Sequence, residues 1–139
     1  IAGWDVEPEM MREEFDWLMP FMRDRRAAAA RFVREMYKKP QSQEYFDRIA
    51  RASLRTPTNT AMALLLGNMA VDRRPALAKI RRPTLIVAAE GPYLRMFEDM
   101  QRRITDSHLK VLEGVGHALF VDAADQFNAL LEEFLKRTR

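Results

Sequence analysis

Pro83-Thr-Leu-Ile-Val-Ala-Ala89, followed by Glu90-Gly-Pro-Tyr93, is the stretch on which the fold turns. It is a largely apolar run with β-branched residues, bounded by Pro and Gly. Such a run is the mark of a strand buried on both faces in a parallel sheet. Next, Tyr93 to Ile104 places Leu94, Phe97, Met100 and Ile104 in helical phase, and His108 to Leu112 alternates as a second strand. Gly114-Val-Gly-His117 is a turn. Ala123 to Arg137 is a helix with Phe127, Leu130, Leu131, Phe134 and Leu135 on one face, and Pro75 to Ile80 supplies one helical turn ahead of the first strand. Strand, helix, strand, helix implies right-handed crossovers and a parallel sheet. A parallel pair cannot cover both its edges with these helices, so the two strands are expected to belong to a larger sheet whose other strands lie elsewhere.

Upstream the period is helical from Pro8 to about Val71. Pro8 suits a first helical turn, and Met11, Phe15 and Leu18 recur at helical spacing until Pro20. Asp24 is placed to cap a second helix carrying Ala27 to Ala30, Phe32, Val33, Met36 and Tyr37, with Lys38 and Lys39 at its negative end and Pro40 as its stop. Ser42 is placed to cap a third, with Glu44 in its first turn and an apolar stripe of Phe46, Ile49, Ala50 and Leu54. Thr56 or Thr58 is expected to cap a fourth, running through Met62, Leu64, Leu65 and Leu66.

The bulk composition narrows the function classes. The chain has 139 residues, 47% hydrophobic and 31% charged, an ordinary globular balance rather than a disordered one. Its longest apolar run, Ala61 to Leu66, is far too short to span a bilayer, and without a basic n-region followed by an apolar core at its start no signal peptide is expected. The sequence starts at Ile1 with no Met, as though an upstream part had been removed. With no cysteine, thiol nucleophiles and thiolate metal sites are excluded, and a cytoplasmic location fits. The net charge of +3 is spread over basic clusters such as Arg73-Arg74 and Arg102-Arg103 that interleave with acids, so a nucleic-acid partner is not expected. Two histidines far apart and no Gly-rich phosphate cradle leave no metal site or cofactor to expect.

Three segments, Leu77-Ala-Lys-Ile-Arg-Arg-Pro-Thr-Leu-Ile-Val87, Leu112-Glu-Gly-Val-Gly-His-Ala-Leu-Phe120 and Phe127-Asn-Ala-Leu-Leu-Glu-Glu-Phe-Leu135, together resemble the C-terminal end of the α/β-hydrolase family. The resemblance implies an α/β fold class: the C-terminal portion of an α/β-hydrolase parallel sheet in residues 75–139, preceded by an all-helical cap, or lid, in residues 1–74. The first segment corresponds to the penultimate core strand, the second to the last strand and its Gly-His loop, and the third to the helix covering the sheet.

His117 is the leading catalytic candidate. Gly114 and Gly116 let the backbone bend sharply after a strand, which presents the imidazole at the carboxyl edge of the sheet. An imidazole accepts and returns protons near neutrality. His108 begins a strand and reads as surface. The family's nucleophile elbow, G-x-S-x-G, is absent: none of Gly3, Gly67, Gly91, Gly114 and Gly116 flanks a Ser, Asp or Cys in that pattern, and Ser42, Ser53 and Ser107 read as helix starts or ends. The family's chain order puts the nucleophile first and the histidine last, so the elbow is expected upstream.

The acid departs from the family's pattern. Where an Asp usually follows the strand just before a Pro, this sequence has Ala88-Ala-Glu-Gly-Pro-Tyr93. Two carboxylates remain open: Glu90 in that loop, and Asp5, since some members, certain haloalkane dehalogenases among them, place the acid after the sixth strand and Ile1-Ala-Gly-Trp-Asp5 looks like the end of such a strand. Met10, Met11, Met19, Met22, Met62 and Met69, with Trp4, Trp17 and Phe21, crowd the cap, as a pocket lining or as plain helix packing. The expected function is carboxylesterase-like hydrolysis of a small ester or acyl substrate, in partnership with the N-terminal half of the hydrolase or another copy of the chain. A haloalkane dehalogenase or epoxide-hydrolase chemistry, and a non-catalytic helical interaction module, are the alternatives.

Overall fold

The structure, a computed structural model, describes residues 8–138. Contacts divide the chain into two compact units: Ile1–Arg34 with Gln41–Arg73, and Glu35–Pro40 with Arg74–Arg139. The second unit therefore takes in a short connection from the helical first half.

Among the described residues the first unit holds four helices: α1 (Pro8–Arg23), α2 (Arg25–Glu35), α3 (Gln43–Ser53) and α4 (Thr58–Ala70). The expected stop at Pro20 does not occur, and α1 runs through it to Arg23. An interior proline costs a helix about 3 kcal/mol. Continuing, however, puts Phe21 in the core beside Leu18, both buried, and such side chains return roughly 1.5–3 kcal/mol each. Phe21 also meets Trp17 at 5.1 Å and Phe32 at 5.9 Å between ring centroids, which adds to that side. Asp24 caps α2 as expected, its Oδ1 accepting from the Ala27 N–H at 3.0 Å, and Ser42 caps α3 by accepting from Tyr45 N–H at 3.1 Å. Neither threonine caps α4: Pro57 holds the cap position without a side-chain bond, and Thr58 is already helical. The Arg25 guanidinium donates to the Ser53 and Thr56 carbonyls at 3.0 and 3.2 Å, tying the start of α2 to the end of α3. Met62 is buried in this core, whereas Met19 and Met22 are exposed. Trp4 lies outside the described residues, as do the side chains of Met10, Met11, Phe15 and Met69.

The second unit contains α5 (Arg74–Leu77), β1 (Thr84–Ala89), α6 (Leu94–Arg103), β2 (Ser107–Leu112), α7 (Leu119–Asp122) and α8 (Ala124–Arg137). The strands pair in parallel, from Thr84 opposite Ser107 to Ala89 opposite Leu112. Alternation along β1 sends Ile86 and Ala88 to one face, where both are buried. Val87 and Ala89 face the other way, against Leu112, Val115 and Leu119, with Phe127 and Leu130 of α8 packed on the same cluster. They remain half-buried, so β1 is less covered than its apolar sequence predicts. Ser107 joins α6 to β2: its one hydroxyl proton is shared between the Gln101 and Ile104 carbonyls, at 3.0 and 2.9 Å. On α8, Phe127, Leu130 and Phe134 are half-buried while Leu131 and Leu135 are exposed, so the covered face is narrower than the predicted one.

α2 ends at Glu35, short of the expected stop at Pro40, and the connection from Met36 to Pro40 is irregular. It passes over the turn that carries His117. The Met36 carbonyl accepts from the Ala118 N–H at 2.8 Å. At Gly116, a Cβ would sit 2.6 Å from Met36 O, 2.8 Å from Lys38 N and 3.0 Å from Tyr37 C, all backbone atoms with nowhere to retreat. Gly116→Ala is expected to destabilise the protein by about 1–3 kcal/mol, the usual cost of overpacking. Gly67, in the last turn of α4 with nothing within 4 Å of its added Cβ, gives the opposite sign: Gly67→Ala is expected to gain about 0.5–1 kcal/mol. Urea unfolding of the two variants checks the pair, and equal effects would contradict the close approach at Gly116.

Candidate active site at the histidine loop

The two strands end side by side, and the Glu90 N–H donates to the Leu112 carbonyl at 2.9 Å just beyond the last pair. Both chains therefore leave the same carboxyl edge, where α/β sheets place their sites. After β2, Gly114 adopts φ +66°, a left-handed turn residue as its identity demands. The residues around His117 then alternate sharply in exposure. Val115, Ala118 and Leu119 are buried, Ala118 completely, while His117 itself is exposed. The imidazole is thus the outward-facing member of a loop anchored through its neighbours.

The anchor is Asp122, the buried charged residue of this unit at 4% exposure. Its Oδ2 accepts from Gly116 N–H at 2.7 Å and Lys38 N–H at 2.8 Å, and its Oδ1 from Lys39 N–H at 3.2 Å. Burial pushes its carboxyl upward, but the three backbone donors, with the Lys39 charge, outweigh that and hold it below the ordinary 3.8. One carboxylate thereby joins the turn before His117 to the connection after α2. Sequence reasoning overlooked it. The signal was present: Asp122 is the single charge in the run Ala118-Leu-Phe-Val-Asp-Ala-Ala124, where an acid needs a partner to be tolerated. Lys38 and Lys39, expected to act as charges at a helix end, act instead through their backbone N–H groups.

The other candidates are placed as follows. Glu90 is exposed at the same edge as His117, and among the described residues no hydrogen bond or ion pair joins the two. Asp5, with the strand expected at Ile1 to Asp5, lies outside the described residues. His108 sits near the opposite, amino end of β2, where its Nε2 stands 2.6 Å from Arg137 Nη2. A guanidinium only donates, so that nitrogen is the acceptor and His108 ties β2 to α8. Ser42 and Ser107 serve helix ends, as described above. Among the described residues no group of three His, Cys, Asp or Glu is placed to hold a metal ion, and no helix is long and apolar enough to cross a membrane.

Because Asp122 is held ionised in the folded state below the ordinary carboxylate pKa, its contribution is complete above about pH 4 and is lost as pH falls through its folded pKa. Asp122→Asn is expected to lower stability at pH 7 by on the order of 3 kcal/mol, since one or two buried N–H groups then face a carboxamide at roughly 1–3 kcal/mol each. The variant's stability is also expected to fall less steeply below pH 4 than that of the wild type. Denaturation at pH 7 and pH 3 measures both, and parallel pH curves would contradict this account.

Comparison with known proteins places this loop in a wider setting. The sequence matches the family model described as Alpha/beta hydrolase family over residues 1–130. A proline iminopeptidase from Lactobacillus helveticus is 40% identical over 63 residues, covering 42% of this chain and 21% of the peptidase. Among solved structures, an esterase (EaEST) from Exiguobacterium antarcticum matches with TM-score 0.80 at 22% identity, over 90% of this chain and 48% of the esterase. A bromoperoxidase from Bacillus anthracis matches with TM-score 0.80 at 20% identity, over 87% of this chain and 47% of that one. The chain spans about half the length of these two structures and about a fifth of the peptidase. At such identities the structural likeness speaks for the fold, and the family match covers nearly the whole sequence. The chain belongs to the alpha/beta hydrolase family.

Proposed function

We propose that these residues form the histidine-bearing portion of an α/β hydrolase that cleaves a small ester or a related acyl substrate. His117 is the observation that carries the reading: an exposed imidazole at the carboxyl edge of a parallel sheet, on a loop whose adjoining residues are all fixed. The esterase from Exiguobacterium antarcticum and the hydrolase family support the substrate class.

In this reading a nucleophile outside the 139 residues attacks the carbonyl, because none of the glycines here frames an elbow. His117 takes the nucleophile's proton and returns it to the leaving group, then activates water for the second half of the reaction. Asp5 or Glu90 holds the imidazole in the required tautomer and stabilises its charged form. Residues 1–74 act as the cap over the substrate, and further strands continue the two-stranded sheet, whose β2 leaves Val111 exposed.

A second reading has its own support. The likeness to the proline iminopeptidase supports cleavage at a prolyl amide in place of an ester. The test is to assay the chain alone and joined to an elbow-bearing N-terminal half, with an activated ester and a prolyl anilide. The chain alone is expected to be inert. The assembled enzyme is expected to turn over the ester faster, and His117→Ala to reduce that rate by about 10²–10⁴-fold. Between Asp5→Asn and Glu90→Gln, the variant with the larger loss in kcat identifies the acid. Prolyl anilide as the better substrate moves the reading to the peptidase, and full activity in His117→Ala removes it.

A further inference from the structure

The exposed imidazole of His117 stands between two peptide N–H groups that are both fixed from outside the loop. On one side, the Gly116 N–H donates to Asp122 Oδ2 at 2.7 Å. On the other, the Ala118 N–H donates to the Met36 carbonyl at 2.8 Å. Met36 is itself held in place, because the N–H groups two and three residues on, those of Lys38 and Lys39, end on the same Asp122 carboxylate at 2.8 and 3.2 Å. Asp122 therefore sets the residue before His117 directly and the residue after it through the Met36 to Lys39 connection. Gly116 seals the arrangement, since no side chain fits between it and that connection.

Resting on the reading of His117 as the general base, we propose that Asp122 is a positioning residue for the reaction: its carboxylate fixes the backbone on both sides of His117 and so aims the imidazole, without touching substrate. The same carboxylate links the aim of the histidine to the α2–α3 connection, so a displacement of that connection is passed to His117 through two hydrogen bonds and a shared peptide. The physical reason for a carboxylate at this point is its valence. A single neutral acceptor in this space satisfies at most two donors in good geometry, whereas the two oxygens here serve three. A catalytic group displaced by about 1 Å loses on the order of 10²-fold in rate, so an anchor of this kind acts on kcat.

The test uses the full 139-residue chain and reads the two imidazoles, for which His108, held by Arg137 at the other end of β2, is a built-in control. Imidazole NMR spectra and amide hydrogen exchange are compared for wild type, Asp122→Asn and Asp122→Glu. In Asp122→Asn the His117 ring resonances are expected to shift and broaden. Exchange at Gly116, Lys38 and Lys39 should rise about tenfold or more, with His108 and the β1 amides unchanged. Asp122→Glu, which keeps both oxygens, is expected to restore part of the His117 signature and carries the test if the Asn variant does not fold. In an assembled, active enzyme, Asp122→Asn should lower kcat by about 10–10²-fold with KM within about twofold. A merely structural Asp122 overturns the proposal by either of two results: faster exchange with both imidazoles unmoved, or His117 and His108 changing together with general loss of protection. Unchanged exchange at the three amides also overturns it. The spectra need no turnover, so full activity in His117→Ala would sink the functional reading while the positional result stood by itself.

Discussion

Removing Asp122 from water costs the chain the hydration of a full charge, and among the described residues no guanidinium or ammonium pairs with it closely enough to form an ion pair. Three backbone N–H groups offset that cost. They come from places far apart in sequence: Gly116 is six residues away, while Lys38 and Lys39 are more than eighty residues upstream. Charge-assisted bonds to peptide donors are stronger than neutral ones, and these are shielded from competing water, so the balance favours the ionised, fully bonded state. The rest of the unit is arranged around that local solution. The turn after β2 takes its shape from Gly114, its closeness to the upstream connection from Gly116, and its anchorage from Asp122. α7 is a single turn, and its role is to bring Asp122 back beneath the loop that precedes it.

The parallel pair is the other half of the arrangement. Because β1 and β2 run in the same direction and end in register, the loops that follow them must emerge together. Glu90 and His117 lie at one edge for that reason and for no local one. Alternation along β1 then divides its residues between a buried face of Ile86 and Ala88 and a second face packed on Leu112, Val115 and Leu119, the residues that frame the histidine turn. The sheet and the site thus share one apolar cluster. A large-to-small change at Val115 or Leu119 would empty space beneath the loop as well as weaken the core.

What was legible in the sequence was local. The strand at Thr84–Ala89, the helices that follow each strand, and the caps at Asp24 and Ser42 rest on periodicity and on bonds spanning three residues, which a single pass along the chain exposes. The histidine turn was legible because two glycines flank it and a strand precedes it. What was not legible depends on distance or on competition. Pro20 reads as a stop, yet Leu18 and Phe21 together bury enough to carry the helix past it. Lys38 and Lys39 read as charges at a helix end because their side chains dominate the pattern, whereas their backbone is what the fold uses. Asp122 gave only a hint, an acid in an apolar run. Its meaning lies in partners that no short window contains.

In the proposed reading a carboxylate, Glu90 or Asp5, orients His117, and the geometry of the loop constrains how it does so. A backbone fixed on both sides of His117 leaves the imidazole two torsions, χ1 and χ2, with which to meet a partner. The acid must therefore come to the ring. Glu90 has the longer side chain and leaves β1 directly beside the end of β2, but it starts from an exposed position and would give up rotamer freedom and hydration to reach the ring. On equal chemistry, the better preordered group makes the stronger triad member, because less of its interaction is consumed in ordering it. In the proposed reading, the rigidity that Asp122 confers on the histidine therefore leaves the cost of ordering to the carboxylate that orients it.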